Sequence, residues 1–108
     1  MKGFKNAEVY VEGKGIVKTS VAFCGEKIAE IGGNSSFEEI ALPENAVVLP
    51  GFIDEHIHGA AGSDAMDGSV NALETIANSV AGEGTTAFLA TTMTQSPENI
   101  SNALAAVK

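Results

Sequence analysis

The residue pattern changes near Pro50, and this change constrains the fold more than any other feature of the sequence. Before Pro50, short runs of β-branched and other apolar residues alternate with glycine-containing turns, as at residues 13–15 and 25–26. That alternation is typical of antiparallel strands joined by tight hairpins. After Pro50, strand-like and helix-like segments alternate, which is the order of parallel βα units. The sequence therefore predicts an α/β chain, with a small β-domain over residues 1–50 and βα units over residues 51–108.

The second half contains two candidate strands and two candidate helices. Residues 52–58 and 85–91 are the strand-like segments, and apolar residues at helical spacing indicate a helix over residues 68–81. A second helix is expected after Ser96, because serine is a common N-terminal cap and Pro97 suits the first helical position.

Two features of the first half are less regular. Residues 35–45 are polar and contain a proline, which predicts a loop or an irregular connection. Cys24 is the only cysteine, so it has no partner for a disulfide within the chain. Its apolar neighbours predict a small packed residue rather than a nucleophile.

Length and charge exclude several classes of protein. A chain of 108 residues is too short for a closed barrel of eight βα units, which takes about 250 residues. The net charge is −8 and the six lysines are scattered, so neither nucleic acid nor an anionic membrane is an expected partner. No apolar run has the length of a signal peptide or of a membrane span, so the expected location is the cytoplasm.

The candidate metal-binding residues lie in the run PGFIDEHIHG at residues 50–59. Alternate side chains of a strand point the same way, so Asp54, His56 and His58 are expected on one face. Two imidazoles at the carboxyl end of a parallel strand can bind one divalent cation when further ligands complete its shell. The alternative is that the two histidines only pack together or lie at the surface.

Neighbouring residues have two interpretations each. Asp54 either accepts a hydrogen bond from one of the histidine rings and so orients it, or is a hydrogen-bonded carboxylate inside a barrel. Thr91 and Thr92 end the second strand at the same edge, where they either line the pocket or simply reflect β-propensity.

The segment after the first strand is rich in glycine and aspartate. Gly59 and Gly62 either present backbone N–H groups to a phosphate or form a tight turn, and the turn is the favoured interpretation. Asp64 and Asp67 are interpreted as loop or helix-cap residues rather than ligands.

Four segments resemble a known enzyme family. Residues 50–59 resemble the first barrel strand of the amidohydrolase superfamily, and CGEKIAEIG at residues 24–32 resembles the hairpin that opens such sequences. The runs GAAGSDAMD at residues 59–67 and EGTTAFLATT at residues 83–92 resemble the N-acetylglucosamine-6-phosphate deacetylases.

The resemblance implies both a fold and a place for this chain within it. The family fold is a (β/α)8 TIM-like barrel flanked by a β-sandwich that is built from both ends of the chain. Residues 1–50 then correspond to the N-terminal part of the sandwich, and residues 51–108 to the first two βα units. The chain is accordingly expected to be an N-terminal fragment.

The resemblance also implies the chemistry. Such an enzyme removes the acetyl group from N-acetylglucosamine 6-phosphate, giving glucosamine 6-phosphate and acetate, by means of a metal-activated water and an aspartate that transfers the proton. His56 and His58 correspond to ligands of a divalent ion, zinc or iron, with one or two ions per subunit, and retention of both resembles the two-metal branch. The acid–base and substrate-binding residues are expected beyond residue 108, so the fragment alone is expected to be inactive. The partners implied are a small amino-sugar phosphate and a second copy in a homodimer.

Two alternatives remain open from the sequence. One is another amidohydrolase, dihydroorotase-like or deaminase-like, which shares the two histidines but differs in its next ligand. The other is a non-catalytic binding module, which would hold a cation stoichiometrically without help from further residues.

Overall fold

The computed structural model of the chain describes residues 1–107. It contains two compact units, Met1–Pro50 and Gly51–Lys108. Each unit has its own sheet or sheets and its own buried residues.

The first unit is built on an antiparallel meander of three strands. These are β1 (Lys2–Val11), β2 (Gly15–Cys24) and β3 (Lys27–Ile31), paired in the order β3-β2-β1. The glycine pattern predicts both hairpins, and the turn residues Gly13 and Gly25 adopt φ values of 75° and 59°. Side chains with a Cβ rarely tolerate this left-handed region, which explains glycine at the two turns.

Two short strands extend the meander into a mixed sheet of five strands. They are β4 (Glu38–Glu39) and β5 (Val47–Val48), and both pair parallel with β1. The prediction of a loop over residues 35–45 is therefore wrong for β4. The pairing rests on backbone hydrogen bonds, such as Ile40 N–H to the Gly3 carbonyl at 2.7 Å, which leave no signature in the side-chain pattern.

The buried centre of this unit is small and lies on one face of the sheet. Ala7, Val9 and Val21 form its cluster, and the rings of Phe4 and Phe23 meet edge to face beside it at 5.4 Å. The expectation that Cys24 is packed is wrong. Cys24 is exposed because it is the last residue of β2, directly before the turn to β3.

The second unit alternates short strands with helices. Its elements are β6 (Phe52–Ile57), β7 (Gly59–Ala60), β8 (Ser63–Asp64), a 3₁₀ turn (Ala65–Asp67), α1 (Val70–Ala81), β9 (Thr85–Ala90) and α2 (Pro97–Ala106). β6 and β9 pair in parallel, and β7 and β8 form a separate hairpin. The observed class is thus α/β, as the sequence predicts.

Both helices begin at serine caps. The hydroxyl of Ser96 accepts from the Asn99 N–H at 3.2 Å, and Pro97 follows as the first helical residue, as predicted. The hydroxyl of Ser69 likewise accepts from the Ala72 N–H at 3.2 Å. The first helix begins two residues later than predicted, because Gly68 is left-handed and the cap residue itself is extended.

One face of α1 carries much of the unit's burial. Ala72, Ile76 and Val80 recur every four residues on that face and are buried. By contrast, the sheet exposes large apolar side chains, since Phe52, Ile53 and Leu89 are 61%, 68% and 61% exposed. Among residues 1–107, no helix is long and apolar enough to cross a membrane.

Candidate metal site at the carboxyl end of strand β6

The parallel pairing of β6 with β9 brings the carboxyl ends of both strands to one edge of the sheet. His58 follows β6 directly, separated from it by no other residue, and Thr91 follows β9 in the same way. The Thr91 N–H donates to the Ile57 carbonyl at 2.8 Å, which continues the contact between the strands beyond their last paired residues. The edge is therefore held by backbone hydrogen bonds.

The two histidines of the chain lie together at this edge. Their ring centroids are 5.1 Å apart and the ring planes make an angle of 84°. His56 is exposed and His58 is half-buried. The structure thus brings the two rings together, as expected for alternate residues of an extended segment.

His58 is fixed by a contact with the second strand. Its Nδ1 lies 3.0 Å from the carbonyl oxygen of Thr91. A carbonyl oxygen only accepts hydrogen bonds, so Nδ1 must carry the proton in this contact. When the ring is neutral, the lone pair is then on Nε2, the nitrogen left free for a metal ion. Within residues 1–107, no comparable hydrogen bond holds the ring of His56.

Asp54 contacts the backbone rather than an imidazole ring. Its Oδ1 accepts from the His56 N–H at 3.0 Å, and the residue is half-buried. The carboxylate therefore binds the backbone at His56. A role for Asp54 in orienting an imidazole ring remains a prediction.

The segment that follows the histidines forms a tight β-hairpin. Strands β7 and β8 are joined through Ala61 and Gly62, which adopt φ values of 51° and 82°. A Cβ at Gly59 would lie 2.1 Å from the Ser63 carbonyl oxygen, so only glycine fits opposite β8. This geometry agrees with the tight turn favoured from the sequence.

The carboxylates of this segment are engaged in capping. Asp64 Oδ1 accepts from the Met66 N–H at 2.8 Å, and Asp67 Oδ2 accepts from the Asp64 N–H at 2.9 Å. Together they form a capping box around the 3₁₀ turn. Asp64 and Asp67 are therefore helix-cap residues in this structure, as interpreted from the sequence.

The donor set fits a divalent ion in type and spacing, but it is incomplete. Two imidazoles that bind one tetrahedral ion through nitrogens at ~2.0–2.1 Å have ring centres about 5 Å apart, close to the separation seen here. In the described part of the chain, no group of three or more His, Cys, Asp or Glu side chains is placed to hold a metal. An open groove of about 580 Å³ borders β6 and is lined by Asp54 and His56 but not by His58.

Comparison with known proteins identifies what the chain is similar to. It is 52% identical over 67 residues to N-acetylglucosamine-6-phosphate deacetylase of Bacillus subtilis, covering 62% of this chain and 17% of that protein. It is 35% identical over 104 residues to N-acetylglucosamine-6-phosphate deacetylase of Vibrio furnissii, covering 95% of this chain and 24% of that protein. The resemblance to the N-acetylglucosamine-6-phosphate deacetylases is confirmed.

A solved structure extends the similarity to the fold. The crystal structure of N-acetylglucosamine-6-phosphate deacetylase from Thermotoga maritima superposes with a TM-score of 0.76 at 25% identity. The match covers 95% of this chain and 26% of that one. No family model matches the sequence. The chain thus spans between 17% and 29% of the length of the N-acetylglucosamine-6-phosphate deacetylases it matches.

One participant in the site was not found from the sequence. The sequence points to the Thr91 side chain, but that hydroxyl donates to the Leu89 carbonyl two residues earlier, at 3.1 Å. The group that reaches His58 is the Thr91 backbone carbonyl. Its only signal in the sequence is its position, one residue beyond a strand that pairs with the histidine strand.

Proposed function

We propose that this chain is the part of a metal-dependent N-acetylglucosamine-6-phosphate deacetylase that provides the first two histidine ligands. The reaction is hydrolysis of the acetamide of N-acetylglucosamine 6-phosphate to glucosamine 6-phosphate and acetate. In this proposal the unit at residues 1–50 belongs to a β-sandwich, and the unit at residues 51–108 contributes the first two βα units of a (β/α)8 barrel.

One observation carries the proposal: the paired rings of His56 and His58 at the carboxyl end of β6. Barrel enzymes assemble their active sites at that end of the strands. The ring separation suits a shared ion, and the contact of His58 with the Thr91 carbonyl engages Nδ1 and leaves Nε2 free. The sequence similarity to deacetylases includes this segment and supplies the substrate class.

The chain's own residues contribute ion binding and placement. A bound divalent ion, zinc or iron, supplies Lewis acidity at the acetamide carbonyl and makes water a nucleophile near neutral pH. His56 and His58 hold that ion at the strand end. The Asp54 carboxylate accepts a hydrogen bond from the backbone N–H of His56. The β7–β8 hairpin and the capped 3₁₀ turn follow His58 along the chain. The further ligands, the proton-transfer group and the contacts to the sugar phosphate are assigned to parts of the relatives that this chain does not span.

A chimera tests the proposal. Residues 1–108 replace the matching part of the Vibrio furnissii deacetylase, which aligns over 104 residues, and the product is assayed for acetate release and for metal per subunit. We expect deacetylation by the chimera, and a loss of both metal and activity in its His56→Ala and His58→Ala variants. Glu55→Ala is the matched control, because Glu55 directly precedes His56 but is expected on the opposite side of the strand.

The outcomes separate the proposal from its alternatives. A chimera that folds and binds metal but releases no acetate would count against the deacetylase assignment. Full metal content and turnover in both histidine variants would remove the ligand assignment. Stoichiometric, tight metal binding by the 108-residue chain itself would favour a binding module. A homodimer stays a prediction from the resemblance, tested by light scattering of the chimera.

A further inference from the structure

We infer that the backbone carbonyl of Thr91 is a positioning group, which holds His58 in the Nδ1–H tautomer and presents its Nε2 to the metal. The inference rests on the proposed function for the identity of the ligand, but its structural part stands on the contact alone. By this inference the second βα unit positions a ligand of the metal site, although both imidazole ligands belong to the first βα unit.

The geometry of Thr91 explains how one residue can do this. Its N–H donates to the Ile57 carbonyl at 2.8 Å, and its own carbonyl accepts from His58 Nδ1 at 3.0 Å. The two hydrogen bonds reach the consecutive residues Ile57 and His58. Thr91 therefore contacts the backbone of the first and the imidazole ring of the second. Rotation of the imidazole ring would break the second bond while the first still held the strands together.

The chemical argument concerns the proton. A neutral imidazole has one N–H and one lone pair, and only the N–H can pair with a carbonyl. Pairing at Nδ1 therefore selects one tautomer and one ring orientation before any ion arrives. Metal-binding histidines in general donate their other ring nitrogen to a carboxylate, a carbonyl or water, and losing that partner costs about 10–100-fold in metal affinity.

The two histidines differ in this respect. His58 is half-buried and held, whereas His56 is exposed and its ring has no hydrogen bond among residues 1–107. We expect His58 to be preorganised for the ion and His56 to become ordered only when the ion binds.

The first measurement is made on the 108-residue chain without metal. Nitrogen-15 NMR of the histidine side chains, at a pH where both rings are neutral, reports which ring nitrogen carries the proton. We expect His58 to carry it on Nδ1. A His58 ring protonated mainly on Nε2 would overturn the inference, whatever the metal measurements give.

The second measurement weakens the carbonyl without changing a side chain. Replacing residue 92 by its α-hydroxy acid makes the 91–92 linkage an ester, whose carbonyl is a poorer acceptor. Loss of a hydrogen bond worth about 1 kcal/mol should lower the ratio of Nδ1–H to Nε2–H tautomers at His58 about fivefold. In the chimera described above, the same ester should weaken zinc binding about 10-fold or more.

Two controls isolate the carbonyl of residue 91. Thr91→Val removes the hydroxyl and keeps the carbonyl, so the tautomer ratio should not change. An ester one bond later, made at residue 93, perturbs the chain equally and should also leave the ratio unchanged. An unchanged ratio with the ester at residue 92, or an equal change in the controls, would refute the positioning role. The Nδ1–H tautomer together with failed metal binding by the histidines would instead leave the positioning contact standing and refute the proposed function.

Discussion

Replacing Ile76 with alanine tests how far the second unit depends on helix α1. Ile76 is 1% exposed and is the largest side chain that is fully buried in the described residues. Burial of such a side chain contributes about 1.5–3 kcal/mol, and the cavity left by alanine adds to the loss. Ala72 and Val80 on the same face are too small or too stiff to fill that cavity. We therefore expect Ile76→Ala to lower the free energy of unfolding by about 3 kcal/mol.

Urea unfolding followed by far-UV circular dichroism measures this change. Val70→Ala is the matched control, because Val70 lies on the same helix but is 59% exposed, and its free-energy change should stay within about 0.5 kcal/mol. Ile76→Val should fall between the two, at about 0.5–1.5 kcal/mol. A loss below about 1 kcal/mol for Ile76→Ala, or one equal to that of Val70→Ala, would mean that α1 does not supply the core of this unit.

Three further predictions concern capping, activity and association. Ser69→Ala should lower the unfolding free energy by about 1 kcal/mol, because the Ala72 N–H loses its acceptor, and urea unfolding beside the non-capping Ser79→Ala checks it. The 108-residue chain alone should release no acetate from N-acetylglucosamine 6-phosphate above a metal-only blank, because two imidazoles leave an ion mostly water-ligated; release above that blank contradicts this. Strand β9 has an unpaired edge in its two-stranded sheet, so the chain should self-associate or exchange the amides of residues 85–91 quickly. Light scattering and amide hydrogen exchange test this, and a monomer with strongly protected amides there would contradict it.

The parts of the fold that depend on local chemistry could be predicted from the sequence. The cap at Ser96 and the proline after it fix the start of α2 through the adjacent residues alone. The hairpin turns depend on glycines at positive φ, which are visible as glycines. The closeness of the histidine rings follows from the two-residue repeat of an extended chain. In each case the determining contacts lie within a few residues.

The parts of the fold and of the site that depend on backbone contacts between distant residues could not be predicted from the sequence. Strand β4 forms because Glu38 and Glu39 pair with the edge of β1 that β2 does not occupy. Glutamate has a low β-propensity, so this dipeptide does not predict a strand. The Thr91 carbonyl reaches His58 across 33 residues, and a carbonyl is present at every position of the sequence. Cys24 has apolar neighbours, yet its exposure is decided by where β2 ends. Side-chain patterns do not encode these three features.

The exposed sheet and the proposed two-ligand site have one structural explanation. Parallel strands in α/β proteins are covered on both faces, but Phe52, Ile53 and Leu89 are largely exposed on β6 and β9. A metal site at the carboxyl edge of such a sheet receives ligands from several strands. Here both imidazoles come from β6 and the residue directly after it, and the residue after β9 contributes only a carbonyl that contacts one of them. Additional βα units beside this pair would cover the apolar side chains and, because parallel strands end at the same edge, would bring further ligands to the ion. We therefore expect the stability of this unit and its proposed affinity for metal to depend on the same contacts.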